Sequence, residues 1–395
     1  MDKKEKIKEI LTRGVENVYP NPETLEQVFN STRKLKIYCG IDPTGQLHIG
    51  HGVVMHKLRQ LQDLGHEIVV LIGDFTAMVG DPTGKADARK QLNHKQVLAN
   101  AKNYRKLIGK ILDLKKTSFK YNSKWLAKMK LATVIELLSH FSAQRLLERD
   151  MFQERMKAGH EIFLHEFVYP ALVGYDCVVL DVDMEVGGND QTFNMLAGRT
   201  LMKKMKNKEK FVLTTKLLTD PSGKKMGKTS GNMVNLTDVP KEMYGKVMSW
   251  TDEMIVPALE IATTMPINNI EQVGQELKDG ANPKKYKMLL AHKIVELYHG
   301  AKAAAAAEEN FKQVFEEKLN PDDIKAVKTD KRNIVEVLVV TGLAESNSEA
   351  RRLIAQGGVK VDGKLVKDET FMIADINADG VVIQKGKRHF VKLAN

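Results

Sequence analysis

The stretch from residue 35 to residue 75 constrains the fold more than any other part of the chain. LKIYCGI, residues 35–41, is an almost unbroken apolar run bounded by charge before it and by Asp42-Pro43 after it, and it reads as a strand buried on both faces. Beyond the loop that follows, Val54, Leu58 and Leu61 recur at helical spacing until Gly65 supplies a stop. EIVVLIGDF then reads as a second buried strand. Strand, helix and strand in such close succession form a βαβ unit, which implies a parallel sheet. CVVLDVDMEV and FVLTTKLL read as further strands of that sheet, with a helix-rich insertion at about 111–173 ahead of them.

After about Leu218 the pattern turns helical, including the alanine run Ala303 to Ala307, up to a polar linker, LNPDDIKAVKTDKRN. The last sixty or so residues offer two short helices, the second opened by Ser348 as N-cap, then a Gly-Gly turn and a strand. The expected architecture is a Rossmann-like α/β parallel-sheet domain over 1–220 with its helical insertion, a loop and all-α domain over 221–325, and a small α+β domain over 332–395.

Charge narrows the partners. Lysine and arginine number 61 against 50 acids, a formal +11, which favours polyanions through counterion release. The two cysteines, Cys39 and Cys177, have neither metal-ligand spacing nor a disulfide framework, so no metal is expected and a reducing cytoplasm fits. The first twenty residues lack an apolar signal core, and no stretch approaches the roughly 18 apolar residues needed to span a bilayer.

The loop after the first buried strand carries Pro43-Thr44-Gly45-Gln46-Leu47-His48-Ile49-Gly50-His51. A βα junction in a parallel sheet is where nucleotides dock, with a helix N-terminus aimed at phosphate. Two histidines three apart at that point donate hydrogen bonds to a pentacoordinate phosphorus and its leaving pyrophosphate. Gly50 allows close approach of backbone and adenine. Alone, a His-x-x-His pair is more often a cap or a core feature; the strand–loop–helix setting gives it a chemical role. A second motif, Asp220-Pro-Ser-Gly-Lys-Lys225-Met226-Gly-Lys228-Thr229-Ser-Gly-Asn232, is a lysine-rich loop suited to the charge on departing pyrophosphate. It is not a Walker A loop.

Together these motifs resemble the HIGH and KMSKS signatures of class I aminoacyl-tRNA synthetases. His48-Ile49-Gly50-His51 matches the first letter for letter, and Lys225-Met226-Gly227-Lys228-Thr229 matches the second with Gly and Thr in place of its serines. Tyr38 lies ten residues before His48, and Tyr169, Val173 and Asp176 fall at i, i+4 and i+7, one face of a helix. A phenol needs a donor and an acceptor, and a tyrosine hydroxyl opposite a carboxylate offers both. With Gly80-Asp81-Pro82-Thr83-Gly84-Lys85 and Val186-Gly187-Gly188-Asn189-Asp190-Gln191-x-Phe193-Asn194, the chain resembles tyrosyl-tRNA synthetases over nearly its whole length.

That resemblance implies a tyrosine–tRNA ligase using ATP with Mg2+. Tyr38 and Asp176 would hold the substrate phenol, and Asp81, Tyr169 and Gln191 its ammonium and carboxylate end. Cys39, Gly40, Asp42, Thr44, Gly50, Gly188, Asp190 and Met226 would face ATP, and His48, His51, Lys225, Lys228 and Thr229 would serve the chemical step. The family's usual glutamine is replaced here by Val173. The segment from Asn333 to about Val366 resembles an RNA-binding module shared with a ribosomal small-subunit protein, implying phosphate contacts from Arg351, Arg352, Lys360 and Lys364. The resemblance further implies tRNA(Tyr) as partner, a bacterial source, an approach of Lys284, Lys285 and Lys287 to the anticodon stem, and a cytoplasmic homodimer. Lys203, Lys204, Lys206 and Lys208 read as a solvated face. The rival readings are a tryptophan enzyme, disfavoured because an indole offers only a donor, a non-catalytic RNA-binding scaffold, and a nucleotidyltransferase without tRNA.

Overall fold

A computed structural model describes residues 2–83, 92–219, 233–315, 324–373, 376, 380–386 and 389–394. The chain divides into two compact units, one of Met1–Val239 with Lys246–Tyr298, the other of Pro240–Gly245 with His299–Asn395.

The first unit is built on a six-stranded sheet. Its strands are β1 (Val15–Tyr19), β2 (Lys36–Ile41), β3 (Glu67–Ile72), β4 (Thr117–Tyr121), β5 (Met184–Gly188) and β6 (Phe211–Thr215), in the order β1-β6-β5-β2-β3-β4. Only β1 runs antiparallel. Covered on both faces, β3 and β6 are buried nearly throughout, which is why their sequences are continuous in apolar residues rather than alternating. Three helices matter for the site: α1 (Ile49–Asp63), α2 (Leu164–Leu180) and α3 (Thr192–Lys206). Helix α1 ends where Gly65 takes φ +94°, a conformation open to glycine, and the His66 N–H closes the turn on the Leu61 carbonyl at 3.2 Å. Helices α2 and α3 approach closely because Gly174 has no side chain; a Cβ there would lie 2.8 Å from Leu201 Cδ1.

Two expectations about the sheet need correction. The strand β4 lies inside the segment read as insertion, and only residues after Tyr121 form the helical excursion; TSFKY is short of aliphatic residues because β4 is an edge strand. Cys177 to Leu180 complete helix α2 rather than open a strand, and the chain turns at Asp181 with φ +48° before β5 starts at Met184. The N-terminal strand β1 has no counterpart in the sequence reading; it too lies at the sheet edge, and only Val18 of its five residues is buried.

The second unit carries a small α+β assembly. Strands β7 (Lys325–Lys328), β8 (Val359–Val361), β9 (Lys364–Leu365), β10 (Val381–Lys385) and β11 (His389–Ala394) form a sheet in the order β7-β11-β10-β8-β9. The helices Ile334–Val340 and Asn347–Ala355 bury Ile334, Leu338 and Ile354 in the same core as Val359, Ile383 and Leu393. Ser346, not Ser348, caps the second helix. Its Oγ accepts from the Glu349 N–H at 3.2 Å, while Glu349 Oε2 accepts from the Glu345 N–H at 2.7 Å. The Ser-x-x-Glu spacing of a capping box fits Ser346 and leaves Ser348 inside the first turn.

Candidate functional site

From β2 the chain builds outward to β3 and β4 on one side; it then crosses back to lay β5 and β6 on the other. The carboxyl ends of β2 and β5 therefore flank the topological switch point, the place where open α/β sheets bind ligands. A cavity of about 760 Å³ opens there, within the usual range for a small-molecule site. Tyr38, Cys39, Gly40, Asp42 and Thr44 line it from the end of β2, and His48, Gly50 and His51 from the start of α1. Asp81, Tyr169, Val173, Asp176, Gly188, Asp190 and Gln191 complete the set. Lys225, Met226, Lys228 and Thr229 lie outside the described residues. The chain on either side of that loop does reach the cavity, through Leu217 and Leu218 before it and Met233 and Val234 after it. The returning segment pairs with the histidine motif: the Ile49 N–H donates to the Val234 carbonyl at 3.0 Å, and the Leu236 N–H to that of Leu47 at 2.9 Å.

The histidines are held by their own backbone. His48 is the N-cap of α1, its Nδ1 accepting from the Gly50 N–H at 3.1 Å, and His51 Nδ1 accepts from the His48 N–H at 3.2 Å. With Nδ1 an acceptor in both rings, the proton of each neutral imidazole sits on Nε2, the tautomer required of a hydrogen-bond donor. Burial, and then the neighbouring His48, push the His51 pKa down to about 3, so it donates as a neutral ring at pH 7. A Cβ at residue 50 would lie 3.0 Å from the His48 ring, so Gly50 also leaves that ring its place.

At the amino-acid end a hydrogen-bonded chain runs beneath the cavity. Asp176 is buried, accepting from Trp125 Nε1 at 2.7 Å and Asn122 Nδ2 at 3.1 Å. Burial pushes its carboxyl up to about 8, against the pull of those two donors and with Asp42 and Glu185 adding repulsion. Asn122 also donates to Thr76 Oγ at 3.0 Å, Thr76 donates to Asp42 Oδ1 at 2.7 Å, and Tyr169 donates to Asp42 Oδ2 at 3.0 Å. Asp81 accepts from Gln191 Nε2 at 2.9 Å, and Gln191 in turn accepts from Asn194 Nδ2 at 2.9 Å. Two carboxylates, Asp42 and Asp81, thus face the cavity beside Tyr169 and Gln191, an arrangement that attracts an ammonium.

Sequence reasoning passed over Thr76, Asn122 and Trp125, which lie far along the chain from the Asp42 and Asp176 they meet in space, and it gave no role to Asn194, three residues after Gln191. It also missed Glu185 and Lys210. The Tyr38 hydroxyl donates to Glu185 Oε1 at 2.8 Å and lies 3.1 Å from Cys177 Sγ. Lys210, fully buried, is ion-paired with Glu185. Burial, then Cys177 and Glu185, raise the Tyr38 pKa well above its usual value, so it stays a neutral phenol. Burial likewise pushes the Cys39 thiol up to about 12, which makes it a neutral lining group rather than a nucleophile.

In the small α+β assembly of the second unit, Arg351, Arg352, Lys360 and Lys364 are all exposed, Arg351 with a loose ion pair to Glu369 at 3.4 Å. Lys284 and Lys285 are exposed, whereas Lys287 pairs with Asp252. Lys203, Lys204 and Lys206 are solvent-exposed, but the half-buried Lys208 bridges to Asp181 and Asp183.

The family described as tRNA synthetases class I (W and Y) matches residues 30–316, and the tyrosine–tRNA ligase SYY-like C-terminal domain matches residues 311–393. A tyrosine–tRNA ligase of Carboxydothermus hydrogenoformans is 41% identical over 98% of this chain and 97% of its own length. The chain belongs to the tyrosine–tRNA ligase family. Tyrosine–tRNA ligase 2 of Clostridium acetobutylicum is 43% identical over 98% of each chain. Among solved structures, the C-terminally truncated mitochondrial tyrosyl-tRNA synthetase of Aspergillus nidulans matches with a TM-score of 0.66 at 24% identity. It covers 78% of this chain and 94% of its own, a likeness of fold. The family joins tyrosine to tRNA and uses ATP as a substrate, so the tryptophan and nucleotidyltransferase readings fall away.

Proposed function

We propose that the switch-point cavity binds tyrosine and Mg-ATP side by side and forms tyrosyl-adenylate there. In this reading the tyrosine phenol lies at Tyr38 and Asp176, and its ammonium at Asp81, Tyr169 and Gln191. ATP spans Cys39, Gly40, Asp42, Thr44, Gly50, Gly188 and Asp190. The tyrosine carboxylate attacks the α-phosphorus in line; the new C–O–P bond forms as the bond to the β-phosphate oxygen breaks and pyrophosphate leaves. The terminal ribose hydroxyl of tRNA(Tyr) then attacks the tyrosyl carbonyl and AMP departs. No side chain acts as nucleophile. His48 and His51 donate to phosphate oxygens whose charge grows in the transition state, and Lys225 and Lys228, with Met226 and Thr229 beside them, serve the leaving pyrophosphate.

The observation that carries this reading is that the described members of both substrate sets line one cavity, with the ends of the lysine loop beside them. Val173 lines the same cavity and brings no polar atom of its own side chain, so Asp81, Tyr169 and Gln191 carry the ammonium. Arg351, Arg352, Lys360 and Lys364 take tRNA phosphates, with the helical segment of 221–325 toward the anticodon stem. The insertion exposes Leu131 (73%), Ile135 (60%) and Leu164 (81%), apolar side chains that a second copy of the chain would cover in a cytoplasmic homodimer.

The test is ATP–pyrophosphate exchange with tyrosine, phenylalanine and tryptophan in turn. Exchange that depends on tyrosine, with the other two slower by orders of magnitude, is expected; exchange indifferent to the amino acid overturns the assignment.

A further inference from the structure

The Tyr38 hydroxyl has one proton, and that proton is committed. It lies on Glu185 Oε1 at 2.8 Å, so toward the cavity Tyr38 has only lone pairs left to offer. Glu185 is held in turn by Lys210, which is fully buried and ion-paired with it. The Lys210 ammonium is satisfied on all sides: Glu185, the Met195 carbonyl at 3.0 Å and Cys177 Sγ at 3.2 Å. It also sits 5.7 Å from the centre of the Tyr38 ring. Space for this arrangement is built in, because Gly198 of α3 faces it; a Cβ at that position would lie 2.6 Å from Lys210 Nζ and 2.5 Å from Cys177 Sγ.

A buried ion pair of this kind is poor evidence for stability, since an apolar pair of similar size often serves as well or better. What it does here is fix a direction. A substrate phenol between two groups that both only accept can satisfy one of them and must set lone pair against lone pair at the other. One acceptor and one donor remove that conflict.

We propose that the Glu185–Lys210 pair is a specificity device: it orients the Tyr38 hydroxyl so that Tyr38 accepts the proton of the tyrosine phenol while Asp176 donates to the same oxygen. Hydrogen bonds then run one way, from Asp176 to the substrate, to Tyr38, and end on the Glu185 carboxylate, which also accepts from the Lys210 ammonium. The raised pKa of Asp176, about 8, agrees with a proton on that carboxyl at neutral pH. Glu185 and Lys210 are positioning residues, since they act through Tyr38. The inference rests on the reading that Tyr38 meets the substrate phenol.

The test is ATP–pyrophosphate exchange by the full chain with tyrosine and with phenylalanine. Removing Lys210 alone strands a buried carboxylate, so both charges and the acceptor go together, as Glu185→Leu with Lys210→Met. The ratio of kcat/KM for tyrosine to that for phenylalanine is expected to fall about tenfold, through a higher KM for tyrosine rather than a lower kcat. Gly198→Ala, which keeps every charge and replaces a helical glycine by a better helix former, displaces the ammonium and is expected to lower the ratio in the same sense. Tyr38→Phe is run alongside. If Tyr38→Phe lowers the ratio and the other variants, folded by thermal melting, leave it unchanged or lose both substrates in parallel, the device is refuted and the phenol reading stands. If Tyr38→Phe itself leaves the ratio unchanged, the phenol reading fails and the inference goes with it.

Discussion

Asn122 carries the most informative single substitution. It is fully buried and uses its whole amide, Nδ2 donating to Asp176 Oδ2 and Thr76 Oγ while Oδ1 accepts from the Phe75 N–H at 2.9 Å. Asn122→Ala breaks all three bonds. With the Asp176 carboxyl pushed up to about 8 and so neutral at pH 7, all three bonds are neutral ones worth about 0.5–1.5 kcal/mol each, and the loss of stability sums to roughly 1.5–4.5 kcal/mol. The effect on tyrosine is separate. Asp176 keeps one donor, Trp125, and Asp42 loses the support that reaches it through Thr76. Slackening of about one hydrogen bond, ~1.4 kcal/mol, corresponds to about a tenfold rise in KM for tyrosine. Thermal melting reads the first effect, and ATP–pyrophosphate exchange across a tyrosine titration reads the second. A folded variant that melts lower yet keeps its KM for tyrosine would refute the claim that this chain of bonds holds the amino-acid end.

Further outcomes follow from the same geometry. His51→Ala is expected to slow adenylate formation by roughly 100- to 1,000-fold while equilibrium tyrosine affinity changes little, as single-turnover kinetics and direct binding would show. His51 and His56 have pKa values lowered from 6.5 to about 3 and about 4, so the unfolded chain binds two more protons there as pH falls below 6.5. Asp176, raised from 3.8 to about 8, takes one proton back in the folded state, so these three groups leave a net of one proton, and His66, also lowered from 6.5 by burial, adds in the same sense. Stability present above pH 6.5 is therefore lost at no less than about 1.4 kcal/mol per pH unit toward pH 4.5, visible as a falling melting temperature; a rise over that window contradicts the assignment. Arg351→Ala with Arg352→Ala is expected to leave pyrophosphate exchange intact, raise the KM for tRNA about tenfold and flatten its salt dependence; unchanged tRNA kinetics would place the RNA elsewhere.

What the sequence made legible was whatever lies close along the chain. The run of residues 35–51 holds a buried strand, a capped helix and two histidines in order, and each signals itself by period or by neighbour. Tyr169, Val173 and Asp176 are legible for the same reason, since one helical face repeats at fixed spacing. Pairings between neighbouring strands are not local. Glu185 and Lys210 meet because β5 and β6 are parallel neighbours, and nothing in the twenty-odd residues between them marks the contact. Asn122 and Asp176 meet only once β4 has taken its place at the sheet edge, in a segment whose polar composition hides the strand. Lys210 shows the limit most sharply: it follows a run of surface lysines and is itself fully buried.

The most direct test of the central claim is a crystal structure of the protein with a non-hydrolysable tyrosyl-adenylate analogue. The account predicts the analogue in the switch-point cavity, its phenol oxygen within hydrogen-bond distance of Tyr38 Oη and the Asp176 carboxyl, and its phosphate-like group beside His48 and His51. An analogue whose phenol lies away from Tyr38 and Asp176, or that binds outside this cavity, would contradict it.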